Sequence, residues 1–143
     1  MFLSFLFVMI QFAMLGMIAL TGPLFPNDPV LLALEFLGLG LGLWAIASMR
    51  LGNFNITPDV KETGQLVTAG PYALIRHPMY AALLLTTLPL VVHTPTGLRV
   101  LVWLVLLVDL VLKLNYEEGL LREALPGYAD YQRESYRLVP FLY

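Results

Sequence analysis

The hydrophobic positions of this chain fall in long runs broken by short polar segments, and the run lengths predict the elements. Between residues 2 and 20 only Ser4 and Gln11 are polar. Crossing ~30 Å of hydrocarbon takes roughly 20 residues at 1.5 Å each, so this run fits one membrane-crossing helix. A turn rich in proline and glycine, TGPLFPNDP, leads into a second run at 30–49, which holds one acid, Glu35, near its outer end. Two shorter apolar runs, at 78–92 and 98–114, are joined by HTPTG and read as a helical hairpin whose arms can project past the hydrocarbon.

Polar residues gather in 50–77 and beyond 114. The pattern therefore predicts one all-α membrane domain over 1–143. It comprises about four transmembrane helices, a loop at 50–77, and a tail at 115–143 of short helices lying along the membrane surface. The first run lacks a basic leading segment and an A-x-A cleavage site, so it is expected to be a retained helix rather than a signal peptide.

Composition agrees with the pattern. Hydrophobic residues are 59% and charged residues 13% of the chain, against about 25% charged in ordinary soluble domains. The net charge of −2 is spread over both signs with no basic run, which argues against nucleic acid as a partner. Cysteine is absent, so disulfides, thiolate metal sites and cysteine nucleophiles are excluded. The two histidines, His77 and His93, are separated by a span, and no metal site is expected. Arg50, Lys61, Arg76, Lys113, Arg122, Arg133 and Arg137 fall on one side of the membrane and Arg99 on the other. That asymmetry puts both termini and the long loop in the cytoplasm. The series Gly38, Gly40, Gly42 lies inside a span with no preceding strand, so close helix packing fits it better than a nucleotide loop.

The candidate chemistry sits on the cytoplasmic face. In GPYALIRHPMY, residues 70–80, Pro78 disfavours helical geometry at His77 and suits a first helical position, so the third helix starts there. A helix N-terminus reinforced by Arg76 suits an anionic group; an interfacial Arg/His/Tyr anchor is the other reading. Asp109, Lys113 and Glu117, four apart, share one helix face. Ionisable groups in a span usually face the bundle interior or a wet cavity; a plain interfacial charge cluster is the alternative.

At these residues the chain resembles the isoprenylcysteine carboxyl methyltransferase and phospholipid methyltransferase superfamily of membrane enzymes. The matching elements are NFN at 53–55, LVTAGPY at 66–72, RHPMY at 76–80, EEGLL at 117–121 and a tail of the GYxxY…RLxPF kind at 127–141. The resemblance implies S-adenosyl-L-methionine bound at the cytoplasmic end by Gln65, Leu66, Val67, Tyr72, His77, Pro78, Tyr80 and Glu117, with Glu118 beside it. Arg76 would face the cofactor's carboxylate. No catalytic side chain is implied. Lys113 stands where the prenylcysteine enzymes carry a substrate-associated arginine, and lysine cannot reproduce a planar bidentate contact. The implied acceptor is lipid-soluble or small: a carboxylate, which is favoured, an amine or a thiol. Membrane sterol and enone reductases that use NADPH share an RHPxY hairpin and give an alternative, as does a non-catalytic relative.

Overall fold

A computed structural model of the chain describes residues 2–49 and 66–143. Among these residues the chain is helical throughout: α1 (Phe2–Leu20), α2 (Pro29–Met49), a 3-10 turn (Gly70–Ala73), α3 (Pro78–His93), α4 (Gly97–Ala124) and α5 (Tyr128–Glu134). The helix starts follow local chemistry. The Asp28 carboxylate accepts from the backbone N–H groups of Val30 and Leu31 at 2.9 and 3.0 Å, with Pro29 in the first helical position. The Thr96 hydroxyl accepts from the Arg99 N–H at 3.3 Å to open α4.

α2 lies along α3 and α1 along α4, while α1 and α2 make little direct contact. The core cluster joins Ile18 of α1, Leu90 and Val91 of α3, and Val102, Leu106 and Leu110 of α4. The outer faces keep large apolar side chains exposed, among them Phe5 and Phe12 on α1 and Phe36, Leu37 and Trp44 on α2. Faces of that kind are suited to hydrocarbon rather than water. By length and composition, α1 and α2 are each able to cross a membrane. α3 has 16 residues, about 24 Å at 1.5 Å per residue, and α4 carries Arg99, Asp109 and Lys113 within its apolar stretch.

Two expectations change. The tail does not begin at 115: α4 continues to Ala124, because NYEEGLLREA holds no breaker stronger than Gly119 and is otherwise mostly good helix formers. Leu125 and Pro126 then end it, and Gly127 turns the chain at φ 82° into α5. The second change concerns Arg99, placed by the sequence at the outer start of the fourth run but not read as a buried group: it is 1% exposed. Its guanidinium donates to the Ile18 carbonyl at 3.0 Å and the Leu90 carbonyl at 2.8 Å, tying the ends of α1 and α3 to α4. Both carbonyls belong to final helical turns, and that of Leu90 also accepts from the Thr94 N–H at 3.4 Å and the Thr94 hydroxyl at 3.3 Å. A Cβ on Gly22 would come within 2.2 Å of the Arg99 Nη1, so a larger residue there would have to displace the guanidinium. Arg99→Met should therefore leave the Ile18 carbonyl short of a donor, weaken the tie at Leu90 and destabilise the bundle by about 1–3 kcal/mol. A thermal melt in detergent micelles reads this as a lowered Tm, and an unchanged Tm would show that the clamp carries no stability.

Candidate functional site

The site is built where the chain enters α3. Gly70 sits at φ +63°, a left-handed conformation, and a Cβ there would lie 2.3 Å from the Ser48 Oγ. This lets the loop pack onto the end of α2. Pro71 starts the 3-10 turn, and Tyr72 is buried with its hydroxyl 3.8 Å from the Met49 Sδ. The Tyr131 hydroxyl of α5 donates to the Tyr72 carbonyl at 2.5 Å. Burial first, then the charge of Glu117 and the neighbouring Tyr131, push the Tyr72 phenol up, so it remains an O–H donor.

Residues 74–77 run beside the tail. Ile75 pairs with Tyr136 in an isolated parallel bridge, and the N–H groups of Arg76 and His77 donate to the Tyr136 and Arg137 carbonyls at 2.7 and 3.0 Å. His77 has φ −121° and ψ 58°, outside the helix, and α3 begins at Pro78 as its sequence requires. The His77 and Tyr80 rings stack with centroids 5.3 Å apart and planes 7° from parallel.

The two acids of α4 behave differently. The Tyr80 hydroxyl donates to the Glu117 Oε2 at 2.6 Å, and the His77 Nδ1 lies 3.8 Å from the same oxygen. Glu118 faces the tail, buried, and both its oxygens are occupied. Oε1 accepts from the Arg76 Nε at 2.8 Å and lies 3.3 Å from the His77 Nε2; Oε2 accepts from the Gln132 Nε2 at 3.1 Å and lies 3.3 Å from the Arg137 Nη2. Burial alone would raise this carboxyl, but the hydrogen bonds and charges of His77 and Arg76 outweigh it and hold it down at about 2. The Arg76 Nη1 also donates to the Gln132 carbonyl at 3.1 Å, the Ser135 carbonyl and the Ser135 Oγ.

These groups border a cavity of about 610 Å³. Tyr72, Arg76, His77, Pro78, Tyr80 and Glu117 line its polar end. Its depth is walled by α2 at Gly38, Leu39 and Gly42, by α3 at Leu83 and Thr86, and by α1 at Gln11, Phe12 and Leu15. Lys113 reaches this wall, 1% exposed, with its Nζ 2.9 Å from the Gln11 Oε1 and 5.2 Å from the Tyr80 ring centroid. Of the residues singled out from the sequence, seven thus share one cavity and Glu118 braces it from behind. Leu66 and Val67 are half-buried and do not line it. Gln65 lies outside the described residues. Sequence reasoning missed Gln11 as a site residue, although it is one of two polar positions in the first run, and missed the bracing by Gln132, Ser135 and Arg137. Among the described residues no group of His, Asp and Glu could hold a metal ion.

The helical bundle, apolar on its outer faces, closes over a cavity that is charged at one end and oily in its depth. The sequence model of the phospholipid methyltransferase family matches residues 30–126, α2 through α4, and the chain belongs to that family, within the membrane methyltransferases. Comparison with curated proteins and with solved structures gives no match.

Proposed function

We propose that this protein is an integral membrane methyltransferase that uses S-adenosyl-L-methionine and methylates a lipid-soluble or small acceptor. The observation carrying this reading is the convergence of Tyr72, the His77–Tyr80 stack and Glu117, from three separate segments, on one cavity. When bound, the cofactor supplies a methyl group already activated on a cationic sulfur, so no side-chain nucleophile is needed. The residues present fit such a group. An aromatic face at Tyr72 favours a cation by about 0.5–2 kcal/mol, depending on desolvation, and Glu117 can accept hydrogen bonds from hydroxyl or amino groups.

In this reading Tyr72, His77, Pro78, Tyr80 and Glu117 contact the cofactor. Arg76 and Glu118 hold His77 in place; any contact of Arg76 with a ligand is made through the part of its fork left over from the tail. The chain's contribution to rate is then orientation and exclusion of water rather than covalent chemistry. An apolar acceptor enters the oily depth from the lipid, and α1 through α4 cross the bilayer with both termini and the polar end in the cytoplasm. A carboxylate acceptor is favoured over an amine or thiol.

The direct test is calorimetric titration of the purified protein with S-adenosyl-L-methionine, followed by transfer of a labelled methyl to prenylcysteine, phospholipid and small-thiol acceptors. Saturable binding is expected, and its absence would refute the reading. Glu117→Gln should weaken binding roughly ten- to hundredfold, since charge-assisted bonds of this kind contribute about 1.5–3 kcal/mol. Unchanged affinity would remove Glu117 from the cofactor site.

A further inference from the structure

Residues 138–143 form an apolar turn that the cavity does not use. The N–H groups of Leu138 and Val139 both donate to the Tyr143 carbonyl at 2.8 Å. Those of Leu142 and Tyr143 donate back to the Val139 carbonyl at 3.2 and 3.0 Å. Phe141 has φ 64°, the one left-handed residue other than glycine among the described residues. The turn is thus closed on itself, and it holds Phe141 and Leu142 outward, 80% and 82% exposed. The Phe141 ring meets that of Tyr136 with centroids 5.2 Å apart, and the Tyr136 N–H donates to the Leu74 carbonyl at 2.9 Å. Leu74, Tyr136, Val139, Phe141 and Leu142, all exposed, therefore make one patch. We propose that this patch docks on the lipid bilayer, as a foot resting on the boundary between hydrocarbon and headgroups at the membrane face that carries the site.

The end of α2 sets the level of the patch. α2 has 21 residues, about 32 Å at 1.5 Å per residue, which matches ~30 Å of hydrocarbon. Its last turns therefore lie at the boundary. A Cβ on Gly70 would lie 2.3 Å from the Ser48 Oγ and 3.3 Å from the Trp44 Nε1, so the segment leading to Leu74 leaves from that level. Trp44 is itself exposed, and tryptophan and tyrosine collect at this depth of a membrane. Leu74 in turn fixes Tyr136 and the turn beside it. α5 is not the docking element: its Tyr128 and Tyr131 are buried, and it exposes the Asp130–Arg133 ion pair. Arg137 is already engaged, its Nη1 donating to the Tyr143 hydroxyl at 2.8 Å and its Nη2 3.3 Å from the Glu118 Oε2. The docking contact is thus apolar and needs no anionic lipid. An exposed apolar patch of this kind calls for a cover, and the hydrocarbon beside it supplies one. Through Arg137 the docked turn is also tied to Glu118, which braces His77.

The inference rests on the bilayer-crossing part of the proposed function and not on methyl transfer. The chain has no cysteine, so one introduced cysteine gives a single labelling site. The experiment places a nitroxide at Leu142→Cys in the full chain, in nanodiscs of zwitterionic phosphatidylcholine. It compares collisions with oxygen, which concentrates in hydrocarbon, and with a nickel chelate, which stays in water. Arg133→Cys, exposed on α5, is the aqueous reference, and Val108→Cys, exposed on the apolar face of α4, is the hydrocarbon reference. The oxygen-to-nickel ratio at Leu142→Cys should be severalfold above that at Arg133→Cys and below that at Val108→Cys. Adding Phe141→Ser should return it toward the aqueous value. A Leu142→Cys ratio equal to the aqueous reference overturns the inference, as does one that Phe141→Ser leaves unmoved or that rises only when anionic lipid is added. Dipolar broadening that disappears on dilution with unlabelled chain also overturns it, because a second copy would then cover the patch. An aqueous reading at Val108→Cys overturns the bilayer-crossing reading instead.

Discussion

Glu118→Ala should destabilise the protein by about 3–5 kcal/mol, the usual consequence of removing one partner from a buried charge cluster. The carboxylate lies within reach of four side chains: Arg76, His77, Gln132 and Arg137. Arg76 is left with 8% of its side chain exposed and no facing acid in this cluster. The tail loses two of its ties to α4, and His77 loses its contact with the Glu118 carboxylate. Thermal unfolding in micelles should show the loss as a Tm well below that of the unaltered protein. Glu118→Gln, which keeps the shape and part of the hydrogen bonding, should fall between. By contrast, Glu117→Gln should weaken ligand binding with a much smaller change in Tm. If the two substitutions produce the same profile, the division between a bracing acid and a ligand-facing acid is wrong.

A pH dependence follows from the same group. The Glu118 carboxyl is held at about 2 in the folded protein against an ordinary 4.5. Between those values the unfolded chain binds the proton that the folded one refuses. This contribution is therefore complete above about pH 4.5 and drains away as the pH falls toward 2. Acid titration of Glu118→Gln should show a shallower loss of stability over that window than the unaltered chain.

What the sequence made legible was what neighbours along the chain decide. The apolar runs, the start of α3 at Pro78 and the convergence of RHPMY with the glutamate pair all follow from local geometry and one short hairpin. What it hid depends on contacts between distant positions. Arg99 read only as a charge on the outer side because nothing nearby in sequence reveals that the carbonyls of Ile18 and Leu90 will surround it. Gln11 lies 102 positions from Lys113, so its partner appears only once α1 lies against α4. The bracing of Arg76 by Ser135 and Gln132 likewise joins residues more than 50 apart. The extension of α4 through 115–124 was legible in helix propensity but masked by the expectation that polarity ends a membrane helix.

Gly38 and Gly40 offer the sharpest contrast, since the sequence treats them alike and the fold does not. A Cβ on Gly38 would lie 2.4 Å from the Thr86 Oγ1, 2.6 Å from the Thr86 backbone nitrogen and 3.0 Å from the Leu85 carbonyl carbon. Two of those three atoms are backbone and cannot rotate away, so α2 and α3 must separate along the contact that joins them. A Cβ on Gly40 meets nothing within 4 Å. Overpacking a tight contact costs about 1–3 kcal/mol, and more where backbone has to move; close small-residue approach is also how membrane helices gain their packing. Gly38→Ala is therefore expected to lower the Tm by an amount corresponding to about 3 kcal/mol or more. It should also reshape the cavity wall that Gly38 and Thr86 share, and so weaken acceptor binding. Gly40→Ala should be neutral or slightly stabilising, because alanine favours helix over glycine by about 0.8–1.0 kcal/mol. Melting both variants side by side under identical micelle conditions decides the matter: equal Tm values would mean that α2 does not cross α3 at Gly38, and the cavity as described would lose one of its walls.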